Sequence, residues 1–451
     1  MTSAPQMRFC CSLSDFHSWI SLFGMLLLCS ATLPITSATA ARPGSPNVVL
    51  IMADDFGYEC VGANGGESYQ TPQLDLLASK GIRFTRCHVQ PLCTPTRLEL
   101  MTGLSNVRNY DDFGILPETE KTFAHIFRDA GYATGICGKW QLGHKPGLPQ
   151  HFGFDEALLW QHTRRPPRYA NPGLERNNLE EDYSQGEYGP DLINDFACDF
   201  IRRHRDEPFL LYYPMILTHD PFQPTPKSPD WDPRAQGEKV HRNLRHFGEM
   251  VAYADAMVGH VVAALEDAGV ADNTLLIFLG DNGTHKTVTS QFAGNDYKGG
   301  KGLTKQRGTH VPCIVHWPAV IREPRICNDL VTTVDFLPTI SESAGLQPFA
   351  NTDGVSFLPQ LRGELGNPRA WIYSWYSPRI PPNGPRSIAE SVFDGRFKKY
   401  RSGLLYDVLA DPEETVPLNE RLLDTKDTQA VAALDLALES FAKARPARFT
   451  R

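Results

Sequence analysis

The strongest constraint on the fold is a set of short, β-branched apolar runs that alternate with helical patterns. Asn47 to Met52 is one such run, and it stops abruptly at Asp54-Asp55. Others cover Ala133 to Cys137, Phe209 to Met215, Thr274 to Leu279 and Cys313 to His316. Continuous apolar runs of this length read as strands buried on both faces. Between them, Gln73 to Ser79 opens with Thr71 as cap and Pro72 in its first turn. Lys121 to Ala130 stops at Gly131, and Asn243 to Ala268 stops at Gly269. Strands alternating with helices predict an α/β fold, a large and mostly parallel sheet sandwiched by helices. Ligands in such sheets bind beyond the carboxyl ends of the strands. Asp54-Asp55 and Asp281-Asn282 both fall there.

From about Gly363 the texture changes. Short strand-like runs at Trp371 to Trp375, Ile388 to Phe393 and Leu404 to Val408 precede a helical pattern at Gln429 to Lys443. They predict a smaller C-terminal antiparallel sheet plus helix, and so a division into residues 41–362 and 363–451. A chain of 451 residues, 41% of them hydrophobic, can bury a core of that size. Arg164 to Glu187 and Pro221 to Pro233 read as long surface loops of the kind that shape a pocket.

Residues 1–40 read as a signal peptide, with Arg8, the apolar stretch Ile20 to Leu28 and the small-x-small site Ala38-Thr39-Ala40. The apolar stretch is short for a membrane span, so the expectation is a secreted or periplasmic protein with no stable membrane insertion after cleavage. An uncleaved anchor is the alternative. Of ten cysteines, Cys60, Cys87, Cys93, Cys137, Cys198, Cys313 and Cys327 would remain. Their spacing fits no zinc pattern, and an odd number leaves at least one free or chemically special. A net charge of -8 without a basic footprint argues against nucleic acid. It leaves room for a local positive pocket.

The segment Pro91 to Gly103 carries the chemistry. Thr94 can cap a helix, Pro95 suits its first turn and Gly103 can end it. Cys93 then sits just before a helix N-terminus, where free N–H groups favour an anion and lower a thiol pKa. Arg97, one turn in, can reach the same point. A buried structural cysteine is the plain alternative.

Cys93-Thr94-Pro95-Thr96-Arg97 resembles the sulfatase signature Cys-x-Pro-x-Arg, which directs oxidation of the cysteine to formylglycine. Thr96 stands where that family more often has Ser. The resemblance implies an alkaline-phosphatase-like fold and a formylglycine-generating maturation enzyme as partner. It also implies a hydrated aldehyde, one hydroxyl attacking sulfur and the other expelling sulfate. Asp54, Asp55, Asp281 and Asn282 resemble the family's ligands for one divalent cation, calcium first and magnesium second, with residue 93 as a further ligand. Asn282-Gly283-Thr284 is also a glycosylation sequon, discounted because a ligand would not be glycosylated. Gly138-Lys139-Trp140 resembles a second signature, with Gln141 where the family usually has His. His219 and Lys301 match the family's other sulfate contacts, and His144 is a candidate to replace the missing base. Gln306 and His310 stand where the family often has Glu and Arg. The resemblance thus implies hydrolysis of a sulfated carbohydrate or aryl ester. Two rivals stay open, a phosphoester or phosphonate hydrolase on the same fold and a weakly catalytic protein that binds sulfated glycans.

Overall fold

The apolar runs form strands, and further strands join them. In chain order they are β1 (Asn47–Ala53), β2 (Ile82–His88), β3 (Ala133–Gly138), β4 (Glu156–Trp160), β5 (Gly173–Arg176), β6 (Leu179–Asp182), β7 (Phe209–Pro214) and β8 (Thr274–Gly280). Then come β9 (Thr289–Phe292), β10 (Asn295–Lys298), β11 (Cys313–His316), β12 (Arg325–Thr332), β13 (Ile372–Tyr376), β14 (Ala389–Phe393), β15 (Phe397–Tyr400) and β16 (Leu405–Asp407). The computed structural model describes residues 44–237, 243–377 and 388–449. The signal peptide expected at 1–40 lies outside the described residues. Among those described, no helix is long and apolar enough to cross a membrane.

Ten strands make one sheet in the order β12-β2-β11-β8-β1-β7-β3-β4-β5-β6. β1 lies at its centre, parallel to β8 on one side and to β7 on the other. Every residue of β1, β7 and β8 is buried, as the unbroken apolar runs require. Alternate side chains of β1 feed two separate cores. Val48, Leu50 and Met52 pack with Leu98 and Met101 from the helix Cys93–Thr102 and with Phe336 from the helix Phe336–Ser343. Val49 and Ile51 pack with Phe196 from the helix Gly189–Arg203 and Met250 from the helix Arg245–Asp267. Each large side chain so buried contributes about 1.5–3 kcal/mol. The four-stranded antiparallel sheet β13-β14-β15-β16 places Tyr373, Trp375 and Val392 in the first of these cores, with Leu434 and Leu438 of the helix Thr425–Ser440. It therefore shares its hydrophobic contacts with the helix that begins at Cys93.

Several local expectations change. The segment 164–187 is not a plain loop, because β5 and β6 form a hairpin that extends the large sheet. Its turn is Asn177-Asn178, both at positive φ (49° and 72°), as a two-residue type I′ turn requires. The charged residues that suggested a loop form ion pairs across the hairpin and its flanks, such as Arg176–Glu181 at 2.9 Å and Arg164–Asp182 at 2.9 Å. β15 was hidden for a related reason. Its Lys398 and Lys399 are buried, neutralised by Glu414 at 2.8 Å and Glu420 at 2.5 Å. The last helix begins at Thr425, ahead of the expected Gln429, because the Asp424 carboxylate accepts the Asp427 N–H at 2.8 Å.

Candidate active site

The parallel ladders continue one residue past the strand ends, and this sets the site residues side by side. The Asp281 N–H donates to the Ala53 carbonyl at 2.9 Å, and the Lys139 N–H donates to Pro214 O at 2.7 Å. Asp54 N–H donates to Leu217 O at 2.8 Å, and Thr218 N–H returns to Asp54 O at 2.7 Å. Asp54, Asp55, Lys139, Thr218 and Asp281 thus follow four adjacent strands in the order β8, β1, β7, β3. Lys301 reaches the cluster from a loop, its N–H donating to Thr284 O at 3.0 Å, while Gly302 N–H donates to Pro91 O at 2.9 Å. That second bond ties the lysine loop to the segment just before Cys93.

Cys93 is the first residue of the helix Cys93–Thr102, with Leu92 as N-cap and the left-handed Gly103 ending it. Thr94 is therefore not the cap. Its hydroxyl accepts the Gly114 N–H at 3.1 Å, and that of Thr96 donates to Gln90 O at 3.1 Å. The expected lowering of the thiol pKa is also overturned. Cys93 is 2% exposed, and burial pushes its thiol up, with Asp281 and Asp54 adding to the rise against Lys139 and Lys301. A neutral, enclosed thiol is a poor nucleophile.

Around it lie three carboxylates and three cations, each paired. Lys139 Nζ donates to Asp54 Oδ2 at 2.6 Å, Lys301 Nζ meets Asp55 Oδ1 at 2.6 Å, and Arg97 donates to Asp281 Oδ2 at 3.0 Å. Arg97 also donates to the Lys139 carbonyl at 3.0 Å. Asp54, Asp55, Asp281 and Asn282 are fully buried. Burial opposes charge on Asp54, but Lys139, Arg97 and Lys301 outweigh it and hold the carboxyl well below its usual range. Asp281 goes the other way, pushed up to about 7 by burial and by the charge of Asp54. Two oxygens, Asp54 Oδ1 and Asn282 Oδ1, are buried without a hydrogen-bond partner among the described residues. Unsatisfied buried oxygens among carboxylates fit a hard cation, which would replace the missing partners. Asp54, Asp55 and His219 are close enough together to share an ion, their ligand atoms within 4.8 Å of one another. Asp281 is held instead by Arg97 and by the Asp55 N–H, which donates to Asp281 Oδ1 at 3.0 Å. Buried Asn282 has no room for a glycan.

His219 Nδ1 donates to Asp220 O at 2.5 Å, which leaves Nε2 as the acceptor of a neutral ring. Burial pushes this imidazole down to about 3, against the pull of Asp55 and Asp54. Gln141 takes a left-handed backbone (φ 51°) and lines a small cavity with Trp140 and His144. His144 is exposed and its Nδ1 bonds the His162 carbonyl at 2.7 Å. It lies beside Gly114, whose N–H holds Thr94. It is not in the carboxylate cluster.

Residues 46–346 match the sulfatase family, and residues 300–443 match the C-terminal region of N-sulphoglucosamine sulphohydrolase. The chain belongs to the sulfatase family. Arylsulfatase A of Bos taurus is 31% identical, over 91% of this chain and 89% of that protein. N-acetylgalactosamine-6-sulfatase of Mus musculus is 30% identical, over 75% of this chain and 70% of that one. A solved structure in complex with its substrate D-glucosamine-2-N,6-O-disulfate has a TM-score of 0.72 at 20% identity, covering 89% of this chain and 98% of that one. That last likeness is one of fold. As a family member the sulfatase is a sulfuric ester hydrolase.

The motifs missed the residues that brace this sulfatase's site. Tyr169, in the segment expected to be a loop, donates to Ile216 O at 3.0 Å and His219 O at 2.5 Å, fixing the histidine loop. Thr284, read only as part of a sequon, accepts the Gly57 N–H at 3.1 Å on its hydroxyl. Where the family often has Arg, His310 stacks on Tyr58 at 3.9 Å between centroids and donates to Thr85 O at 2.9 Å. Burial pushes that ring down to about 4, so it braces the loop without charge. No local pattern marks any of these.

Proposed function

We propose that this sulfatase is an exported enzyme that hydrolyses a sulfated carbohydrate or aryl sulfate. In this reading a maturation enzyme oxidises Cys93, and Asp54, Asp55, Asp281 and Asn282 hold one calcium or magnesium ion. The observation that carries the reading is the pairing of three buried carboxylates with Lys139, Lys301 and Arg97 around an unreactive thiol. Three carboxylates face three cations, so the site carries no net negative charge. A divalent cation would make the site net positive, which suits a sulfate ester, and would release the two lysines from their carboxylates.

Formylglycine at position 93, once hydrated, supplies the nucleophilic hydroxyl and the second hydroxyl needed to release sulfate. The cation, when bound, neutralises charge on sulfate and lowers the pKa of the attacking hydroxyl. Lys139 and Lys301 turn to the sulfate oxygens, where fixed charge acts most strongly as the transition state develops. Arg97 holds Asp281 and the Lys139 carbonyl, keeping both in register. His219, neutral with Nε2 free to accept, faces the same point. Gln141 can orient a hydroxyl but cannot titrate.

Parallel assays test the reading. Recombinant enzyme co-expressed with a maturation enzyme should release phenol from an aryl sulfate far faster than from the matching aryl phosphate. Faster phosphate release would turn the assignment to a phosphoester hydrolase. Tight binding of sulfated sugars without turnover would leave a binding protein.

A further inference from the structure

Beside Cys93 stand two tyrosines that the proposed chemistry does not use. Tyr376 ends β13 and is 8% exposed. Its phenol hydroxyl lies 3.7 Å from where a Cβ on Gly302 would sit. Gly302 follows Lys301 and is bonded through its N–H to Pro91, two residues before Cys93. The phenol therefore faces the gap between the lysine loop and the start of the nucleophile's helix. Burial pushes it up to about 12, against the pull of Lys301. Its backbone pairs with Ala389 of β14, while among the described residues its phenol hydroxyl has no hydrogen-bond partner.

Tyr110 stands behind it. Its ring lies 6.1 Å from that of Trp375, the neighbour of Tyr376 on β13. Its hydroxyl is buried with no hydrogen-bond partner, although the residue is only 1% exposed. Tyr376 and Cys93 are among the groups that surround this phenol. Cys93 is itself 2% exposed, so low exposure is the condition of the whole floor of the site. A buried hydroxyl without a partner carries a desolvation cost. Tyr376, on the sheet that the C-terminal region contributes, offers a second phenol near it that retains some exposure.

We propose that Tyr376, backed by Tyr110, is the specificity-determining wall for the alcohol half of the ester, and that it selects a polyhydroxylated, carbohydrate leaving group. This rests on the proposed sulfatase site at Cys93. The Tyr376 phenol both donates and accepts, so a ring hydroxyl of a sugar satisfies it in either sense. A plain aryl leaving group has no hydroxyl to offer and leaves the Tyr376 phenol unpaired. Sites built to hydrogen-bond a substrate hydroxyl discriminate against analogues that lack it. Tyr376 is the residue that touches substrate, and Tyr110 is a positioning residue that acts through it.

The test compares kcat/KM for p-nitrophenyl sulfate with that for a panel of monosulfated hexoses and N-acetylhexosamines bearing the ester at each ring position. Tyr376→Phe should lower the sugar-to-aryl ratio by about five- to tenfold, the worth of one neutral hydrogen bond. Tyr110→Phe should lower the same ratio by a smaller factor while its melting temperature holds or rises, because an unpaired buried hydroxyl is removed. An unchanged ratio in both variants, whether the two rates fall together or not at all, overturns the inference. So does a wild-type enzyme that cleaves the aryl ester and no member of the sugar panel. Wild-type enzyme with oxidised Cys93 that releases sulfate from neither ester overturns the underlying site reading instead, before any variant is made.

Discussion

Replacing Lys139 with Met removes a charge while keeping most of the side-chain volume. The Lys139 ammonium lies 2.6 Å from Asp54 Oδ2, with side-chain exposures of 1% and 0%. Without it Asp54 is a buried carboxylate that has lost its largest stabilising partner. Breaking one side of such a pair costs about 3–5 kcal/mol. The described residues lie between 44 and 449. At about 2.1 cal/mol/K per residue, a unit of roughly 400 residues unfolds with an entropy near 0.85 kcal/mol/K, so the melting temperature should fall by about 3.5–6 °C. That drop is expected in EDTA. In millimolar calcium the ion supplies the missing counter-charge, and the gap to wild type should narrow by at least about 1 °C. Differential scanning calorimetry of both proteins under both conditions reads the four values. Equal gaps with and without calcium would refute the shared-ion argument. A drop below about 1 °C in EDTA would refute the claim that the pair is buried and uncompensated.

Turnover of Lys139→Met and of Lys301→Ala should fall on the order of 10²-fold or more, and wild-type rates in either variant would remove that residue from the sulfate contacts. The tryptic peptide containing Cys93 should weigh about 18 Da less in active enzyme than its sequence implies. Cys93→Ala should fold normally and release no sulfate, and full activity with only unmodified Cys93 would contradict the oxidation. Gln141→His should keep or raise turnover, and wild type should show a burst of phenol on an aryl sulfate because no titrating group at 141 assists sulfate release. Absence of a burst, together with loss of activity in His144→Ala, would make His144 the base. Chelation should lower both activity and melting temperature, with calcium or magnesium restoring them, and full activity after exhaustive chelation would dismiss the cation.

The sequence alone determined the elements whose signals are local. β1 and β8 are legible because each is an unbroken apolar run that stops at an acid or amide, and burial on both faces needs nothing else. Cys93, Arg97 and Gly103 are legible because a helix start, one turn and a left-handed end have fixed spacing. Charged strands were not. β15 is a strand with Lys398 and Lys399 because Glu414 and Glu420, from a later segment, neutralise them, and the hairpin β5–β6 pairs Arg176 with Glu181 across its two strands. Tertiary structure also decided the chemistry at Cys93. The helix terminus is a local effect that favours a thiolate, but burial and the nearby carboxylates of Asp54 and Asp281 raise the pKa and prevail. The Lys139–Asp54, Lys301–Asp55 and Arg97–Asp281 pairs depend on the order β8-β1-β7-β3 and on the loops that return to it. Tyr110 and Tyr376 are single aromatic residues with no pattern around them. Strand and helix periodicities act over a few residues, whereas desolvation and pairing sum over every neighbour in space, and those neighbours exist only once the sheet has assembled.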